Sequence, residues 1–181
     1  HGSWELLNLW LAENGSLYSL YKPGKSASID QYILKNRSRN GANLVPANTS
    51  GLRSLLQGLK KKASCMILPD QKPAINTAQI DAPFFGHPAA TSLLIKRLAG
   101  KINCDIYLAA VTRDVSAGNY QLSIKKLIRE SILTDDLSSA SYLNYSIECF
   151  IGQHIAQYQW AYRRFDTSIY AQATDTQEVR L

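Results

Sequence analysis

Long hydrophobic runs are absent from this sequence. No window approaches about 18 uninterrupted apolar residues, so no segment reads as a bilayer-spanning helix. Cysteine is scarce as well. Cys65, Cys104 and Cys149 stand far apart and make no metal-ligand spacing, which excludes a zinc module. Buried, unreactive thiols are expected of them. Their odd number without paired spacing points to a reducing compartment. There is no Gly-x-Ser-x-Gly elbow and no P-loop, so a nucleophile-elbow hydrolase and a P-loop nucleotide enzyme are excluded. No internal repeat or low-complexity stretch is present. The chain opens on His1 without an initiator Met and reads as a fragment cut on its N-terminal side, with room for an upstream membrane anchor.

What is present suits a globular protein. The 181 residues are 45% hydrophobic and 19% charged, enough for one domain with a core and too apolar for disorder. The net charge is +6, and such a surface favours anionic partners: nucleic acid, acidic carrier proteins or phospholipid headgroups. The excess is spread over Lys60–Lys62, Lys96-Arg97, Lys125-Lys126 and Arg163-Arg164. None of these belongs to a nucleic-acid module, and solvated helix faces explain them equally well.

Hydrophobic spacing predicts helices over residues 5–13, 26–39, 52–59, 88–100 and 138–159. Thr49 or Ser50, and Ser138 or Ser139, are the expected N-caps of the third and fifth. Strands are predicted over 17–21 (stopped by Lys22-Pro23-Gly24), 43–45, 64–68, 104–112 and 120–124. The stretch 70–86 holds Pro73 and Pro83, has little periodicity and reads as a long functional loop. Helices alternating with strands call for an α/β fold with a mainly parallel sheet flanked by helices. Residues 167–181 turn polar and read as a tail beyond a domain spanning 1–166.

Several positions carry chemistry on residue type alone. Glu5 opens a helix, where a carboxylate complements the dipole. Arg37 and Arg39 sit at the end of the second helix, where the same dipole favours cations. Asp70 and Gln71 follow a buried strand at its carboxyl end, the side on which open α/β sheets collect ligands. Phe84-Phe85-Gly86, then Ala90-Thr91, are expected to lead into a helix N-terminus able to hold an anion.

In this order, His1-Gly2-Ser3-Trp4-Glu5, Leu68-Pro69-Asp70-Gln71, Phe84-Phe85-Gly86 with Ala90-Thr91, and Gln157-Tyr158-Gln159-Trp160 with Arg163-Arg164-Phe165 resemble the bacterial lipid A biosynthesis acyltransferases. The likeness covers roughly residues 1–166. Ala156 stands where the family usually has proline. The resemblance implies a glycerolipid-acyltransferase-like fold. It also implies transfer of a fatty acyl group from an acyl-carrier-protein thioester to a hydroxyl of a lipid A precursor, at the cytoplasmic face of the inner membrane. No metal or redox cofactor is implied. In the family the base is a His separated from an acid by four intervening residues. Either it is the residue before His1, or His1 serves with one residue fewer. Glu5 would orient it. Arg37 and Asp70 would act as a pair at the acceptor or oxyanion site, and Arg39, Gln71, Phe84, Phe85 and Gly86 would bind substrate, the two rings lining an acyl-chain groove. Two alternatives stay open: a catalytically inactive lipid-binding protein on the same fold, and an acyltransferase for another lipid acceptor.

Overall fold

The computed structural model describes residues 2–21, 26–74 and 77–170. The first helix, α1 (Trp4–Glu13), starts at the Ser3 cap and ends at Asn14. It is followed by β1 (Leu17–Tyr21), α2 (Ala27–Arg37), β2 (Asn43–Pro46), α3 (Thr49–Lys60) and β3 (Ser64–Met66). These strands form a three-stranded parallel sheet with β1 in the middle. Parallel neighbours need a crossover, and α2 and α3 supply the two that this order requires. The predicted stop at Lys22-Pro23-Gly24 lies outside the described residues.

The second half departs from the sequence reading. A strand β4 (Gln79–Phe84) pairs antiparallel with β5 (His87–Ser92), so most of the expected 70–86 loop and the start of the expected 88–100 helix form a hairpin. The helix α4 is confined to Leu94–Lys101. Phe85 and Gly86 make the turn with φ of 48° and 77°, both in the left-handed region that a two-residue primed turn requires. Pro83 and Pro88 lie opposite each other, one step beyond the pair that closes the turn. Antiparallel alternation makes that a pair without exchanged hydrogen bonds, so the missing N–H groups cost nothing there. Local propensity gave no sign of this pairing. Phe84-Phe85-Gly86 therefore leads into a strand, and the anion-binding helix N-terminus expected after it is absent.

A further hairpin joins β6 (Tyr107–Asp114) to β7 (Asn119–Lys126). One turn of helix, α5 (Arg129–Ile132), precedes the long α6 (Asp136–Gln153), and a 3-10 turn Ile155–Gln157 follows it. Among the described residues four of seven strands thus belong to antiparallel ribbons, and the fold is α/β with a small parallel sheet rather than a mainly parallel one. The caps also move. Asn48 Oδ1 accepts from Gly51 N–H at 3.0 Å, and Asp135 Oδ1 from Ser138 N–H at 3.0 Å. The predicted serines and threonine fall just inside their helices.

Two apolar clusters hold these parts together. Phe84, Ala89, Leu127, Ile132, Leu143, Ile147 and Ile151 pack the β4–β5 hairpin and α6 into one core. Leu7, Ala12, Leu17, Met66 and Val111 pack α1 against both the parallel sheet and β6. A close backbone approach lies beside the second cluster. Gly2 pairs in parallel with Val111, and Ser3 N–H donates to Val111 O at 2.7 Å. At Gly2 φ is +63°, and a Cβ there would lie 2.0 Å from Val111 O.

Gly2→Ala should therefore destabilise the protein by well over ~1 kcal/mol, through both the positive φ and the backbone collision. Gly100→Ala is the control, because its Cβ would meet nothing nearer than Leu133 Cδ2 at 3.9 Å. Helical alanine should there be neutral or stabilising. Thermal midpoints of the two variants, measured side by side, check the contrast.

Candidate active site

Three residues on one face of α1 hold Arg37. Glu5 Oε1 accepts from Arg37 Nη2 at 3.1 Å. The guanidinium lies over the Trp4 ring, 4.5 Å from its centroid. One turn along, buried Asn8 donates from Nδ2 to the Arg37 carbonyl at 2.9 Å and accepts from Ser19 Oγ at 2.6 Å. Residues three and four apart share a helix face, which is why Trp4, Glu5 and Asn8 can grip one arginine. The carboxylate in salt-bridge contact with Arg37 is thus Glu5, not the expected Asp70. Arg39 lies in the adjoining turn, exposed, with no role in this grip.

Asp70 and Gln71 open onto a cavity of about 390 Å³ lined by Gly2, Trp4, Leu68, Asp70, Gln71, Gln157 and Gln159. Three sequence motifs, far apart along the chain, meet there. Trp4 connects it to the Glu5–Arg37 pair. His1 lies outside the described residues.

The C-terminal motif is held in place by side chains that imitate backbone. Gln157 Oε1 accepts from Arg113 N–H at 2.7 Å, and its Nε2 donates to Arg113 O at 2.9 Å, extending β6 sideways. Gln157 O also accepts from Gly2 N–H at 3.2 Å. Tyr162 Oη accepts from Lys72 N–H at 2.8 Å and fixes the segment that carries Asp70 and Gln71.

Arg164 of the same motif is buried, with only 2% of its surface exposed. Its Nη1 donates to Ala90 O at 2.6 Å and its Nη2 to Thr91 Oγ1 at 3.3 Å, and its guanidinium lies over the Phe84 ring. Thr91 Oγ1 also accepts from Asn144 Nδ2 at 2.9 Å. An outward-facing role for Arg164 at a membrane or carrier is excluded by this burial; Arg163 is the exposed member of the pair. Burial pulls the Arg164 pKa below its ordinary value, opposed by the charges of neighbouring groups that include Asp70. Burial also pushes the Tyr158 phenol up to about 12, with the Asp70 charge adding to the effect. Tyr158 is therefore a neutral phenol at physiological pH.

Phe84 and Phe85 have separate roles. Phe84 is 1% exposed and belongs to the main core. Phe85, at the turn with Gly86, stacks at 5.7 Å on exposed Trp160, while its N–H donates to Glu148 Oε1 at 2.7 Å. Sequence reasoning missed Asn8, Asn144 and Gln157 as positioning residues. Asn8 and Asn144 each interrupt an apolar helix face, beside Leu7 and Leu11 and beside Leu143 and Ile147. That is the signal that marks a buried polar group with a partner.

The residue pattern and this geometry agree with comparisons to known proteins. The chain belongs to the bacterial lipid A biosynthesis acyltransferase family, whose model matches residues 1–167. Among curated proteins it is similar to a lipid A biosynthesis acyltransferase of Haemophilus influenzae, 24% identical over 150 residues. That match covers 82% of this chain and 47% of the relative, so the chain spans about half the relative's length.

Two outcomes follow. Phe84→Ala should cost about 3–5 kcal/mol in chemical denaturation, as for any fully buried aromatic. Alkaline pH should also destabilise the protein. The folded pKa of Tyr158 lies above the unfolded value, so its contribution is intact below about pH 10. It is lost as pH rises through about 12. Cys65, pushed up to about 11 chiefly by burial, adds to the same loss. Thermal midpoints from pH 9 upward should fall, and Tyr158→Phe should flatten the upper part of that fall.

Proposed function

We propose that this chain carries the catalytic part of an acyltransferase that moves a fatty acyl group from an acyl-carrier-protein thioester to a hydroxyl of a lipid A precursor. The observation that carries the reading is the meeting of Gly2–Trp4, Asp70-Gln71 and Gln157–Gln159 around one cavity, with the Glu5–Arg37 pair beside it. A cavity rimmed by amides and a carboxylate suits a hydroxyl-bearing acceptor. The architecture is read as glycerolipid-acyltransferase-like, with the parallel sheet delivering the site residues at its carboxyl ends.

In this mechanism a His, at position 1 or immediately before it, takes the proton from the acceptor hydroxyl. The oxygen attacks the thioester carbonyl, and the tetrahedral oxyanion collapses with loss of the carrier thiolate, which recovers the proton from the imidazolium. Glu5 holds the imidazole's other nitrogen through Oε2, since Oε1 is engaged by Arg37. Arg37 is positioned to neutralise charge on the acceptor or the oxyanion. Asp70 and Gln71 orient the acceptor. No metal or redox group enters these steps.

The exposed Lys60–Lys62 run and exposed Arg163 suit an acidic carrier protein and an anionic membrane surface. The cytoplasmic face of the inner membrane is the proposed site of action. No helix among the described residues is long and apolar enough to cross a membrane.

Glu5→Gln and Glu5→Ala in the full-length protein should cut turnover by about 10²-fold or more while the circular dichroism spectrum is unchanged. The assay uses acyl-carrier thioester and lipid A precursor. Activity within a few-fold of wild type would remove Glu5 from the mechanism. Retained precursor binding without turnover in the unaltered protein would instead favour a lipid-binding role.

A further inference from the structure

We infer that Gln159 forms with Gln71 a pair of side-chain amides that selects the acceptor, by hydrogen bonds to uncharged hydroxyl and amide groups of its head. The inference rests on the acyl-transfer reading and concerns the same cavity. Both side chains line the cavity that holds Asp70, and they come from segments far apart in sequence. Gln157 lines it too, but its amide is used up. Its Oε1 and Nε2 are both engaged by the Arg113 backbone, at 2.7 and 2.9 Å. Among the described residues, the side-chain amides of Gln71 and Gln159 have no hydrogen-bond partner in the protein.

Tyr162 couples the two positions. Its N–H donates to Gln159 O at 3.0 Å, and at the far end of the ring its Oη accepts from Lys72 N–H at 2.8 Å. One rigid residue thus joins the backbone of Gln159 to the peptide unit that follows Gln71. Lys72 Nζ adds an ion pair with Asp166 Oδ1 at 3.8 Å. The neighbours of Gln159 are fixed as well. Tyr158 is buried, and Trp160 Nε1 donates to Ile155 O at 2.9 Å while its ring stacks on Phe85. The two amides therefore meet a ligand with their backbones already in place, which lowers the ordering cost of binding. Folding does not call for this, since neither amide is bonded to protein.

The lining narrows the class of ligand. Among the described residues, Asp70 is the only charged side chain on the cavity, so no cation there holds a phosphate. A primary amide presents two donors and one acceptor oxygen. Two such groups beside one carboxylate match a surface of hydroxyls and amides, and Trp4 adds a flat apolar wall. Charge on the acceptor is left to Arg37, which lies over the Trp4 ring and outside this lining. A site built on such hydrogen bonds discriminates against acceptors that lack the matching groups.

The test is steady-state kinetics of the full-length protein with acyl-carrier thioester and lipid A precursor. Gln159→Ala and Gln71→Ala should each raise the KM for the precursor about three- to tenfold, the scale of one lost neutral hydrogen bond. The kcat and the KM for the thioester should not change, as for a group that binds the acceptor equally before and during reaction. The same factor should appear with precursor stripped of phosphate by a phosphatase. An unchanged precursor KM would overturn the inference. So would an effect that vanishes with the stripped precursor, which would make phosphate the group recognised. A rise in the thioester KM instead would assign the amides to the donor. If the unaltered protein binds precursor without turnover, the acyl-transfer reading fails on its own. The amide pair is then read from the precursor Kd, which Gln159→Ala should raise by the same factor; an unchanged Kd would overturn it.

Discussion

The contact between Gly2 and Val111 governs how the rest of this structure is arranged. Two backbones meet there with no room for a side chain, and the Gln157 carbonyl closes the contact from a third direction. One consequence is angular. α1 leaves this point with its start fixed against β6, so Trp4, Glu5 and Asn8 are aimed at Arg37, on α2 of the parallel sheet. A second consequence is proximity. The first motif and the last are brought to one rim although more than 150 positions separate them in sequence. A hydrophobic core alone does not specify such alignment, because apolar contacts tolerate sliding. Backbone hydrogen bonds at a glycine do not.

Buried polar groups then transmit that alignment. Asn8, Thr91, Asn144 and Arg164 are each almost fully buried. They tie α1 to the end of α2, the β4–β5 hairpin to α6, and the C-terminal motif to the same hairpin. Such groups cost desolvation, and a buried polar atom is tolerated when its partners hold one geometry. Packing sets the stability of this protein, while Asn8 sets where Arg37 stands and Tyr162 holds the segment that carries Asp70 and Gln71.

Legibility of the sequence followed the range of the forces involved. The first three helices and the strands β1–β3 and β7 were readable because their apolar periodicity is local. Through the family resemblance Glu5, Arg37, Asp70 and Gln71 were readable as candidates, of which the structure brings Asp70 and Gln71 to one cavity and Glu5 to Arg37. The β4–β5 hairpin was not. Its turn uses Phe85 at positive φ, where asparagine or glycine would be the readable signal, and its strands carry prolines and alanines of low strand propensity. Pairing across the hairpin and packing against α6 override those preferences. Phe84 and Phe85 looked alike in sequence, yet strand alternation sends one ring to the core and leaves the other at the turn. The partner of Arg37 was misassigned for a related reason. Asp70 matched by motif, but helix geometry places Glu5 on the face that meets Arg37.

The Glu5–Arg37 pair itself contributes little to folding. The Glu5 side chain is 63% exposed and that of Arg37 27%, so solvent screens their attraction. Trp4 stacking and the Asn8 bond nevertheless hold Arg37 from two further directions. Restraint of that kind, beyond what stability requires, is what an arginine needs to meet a transient negative charge without reorganising. The same restraint frees one Glu5 oxygen for a base at the rim. A carboxylate bound on one side by a fixed cation and open on the other can orient an imidazole without itself taking the proton. In the mechanism proposed above, the acid–arginine arrangement acts as half of a catalytic device rather than as a stabilising salt bridge.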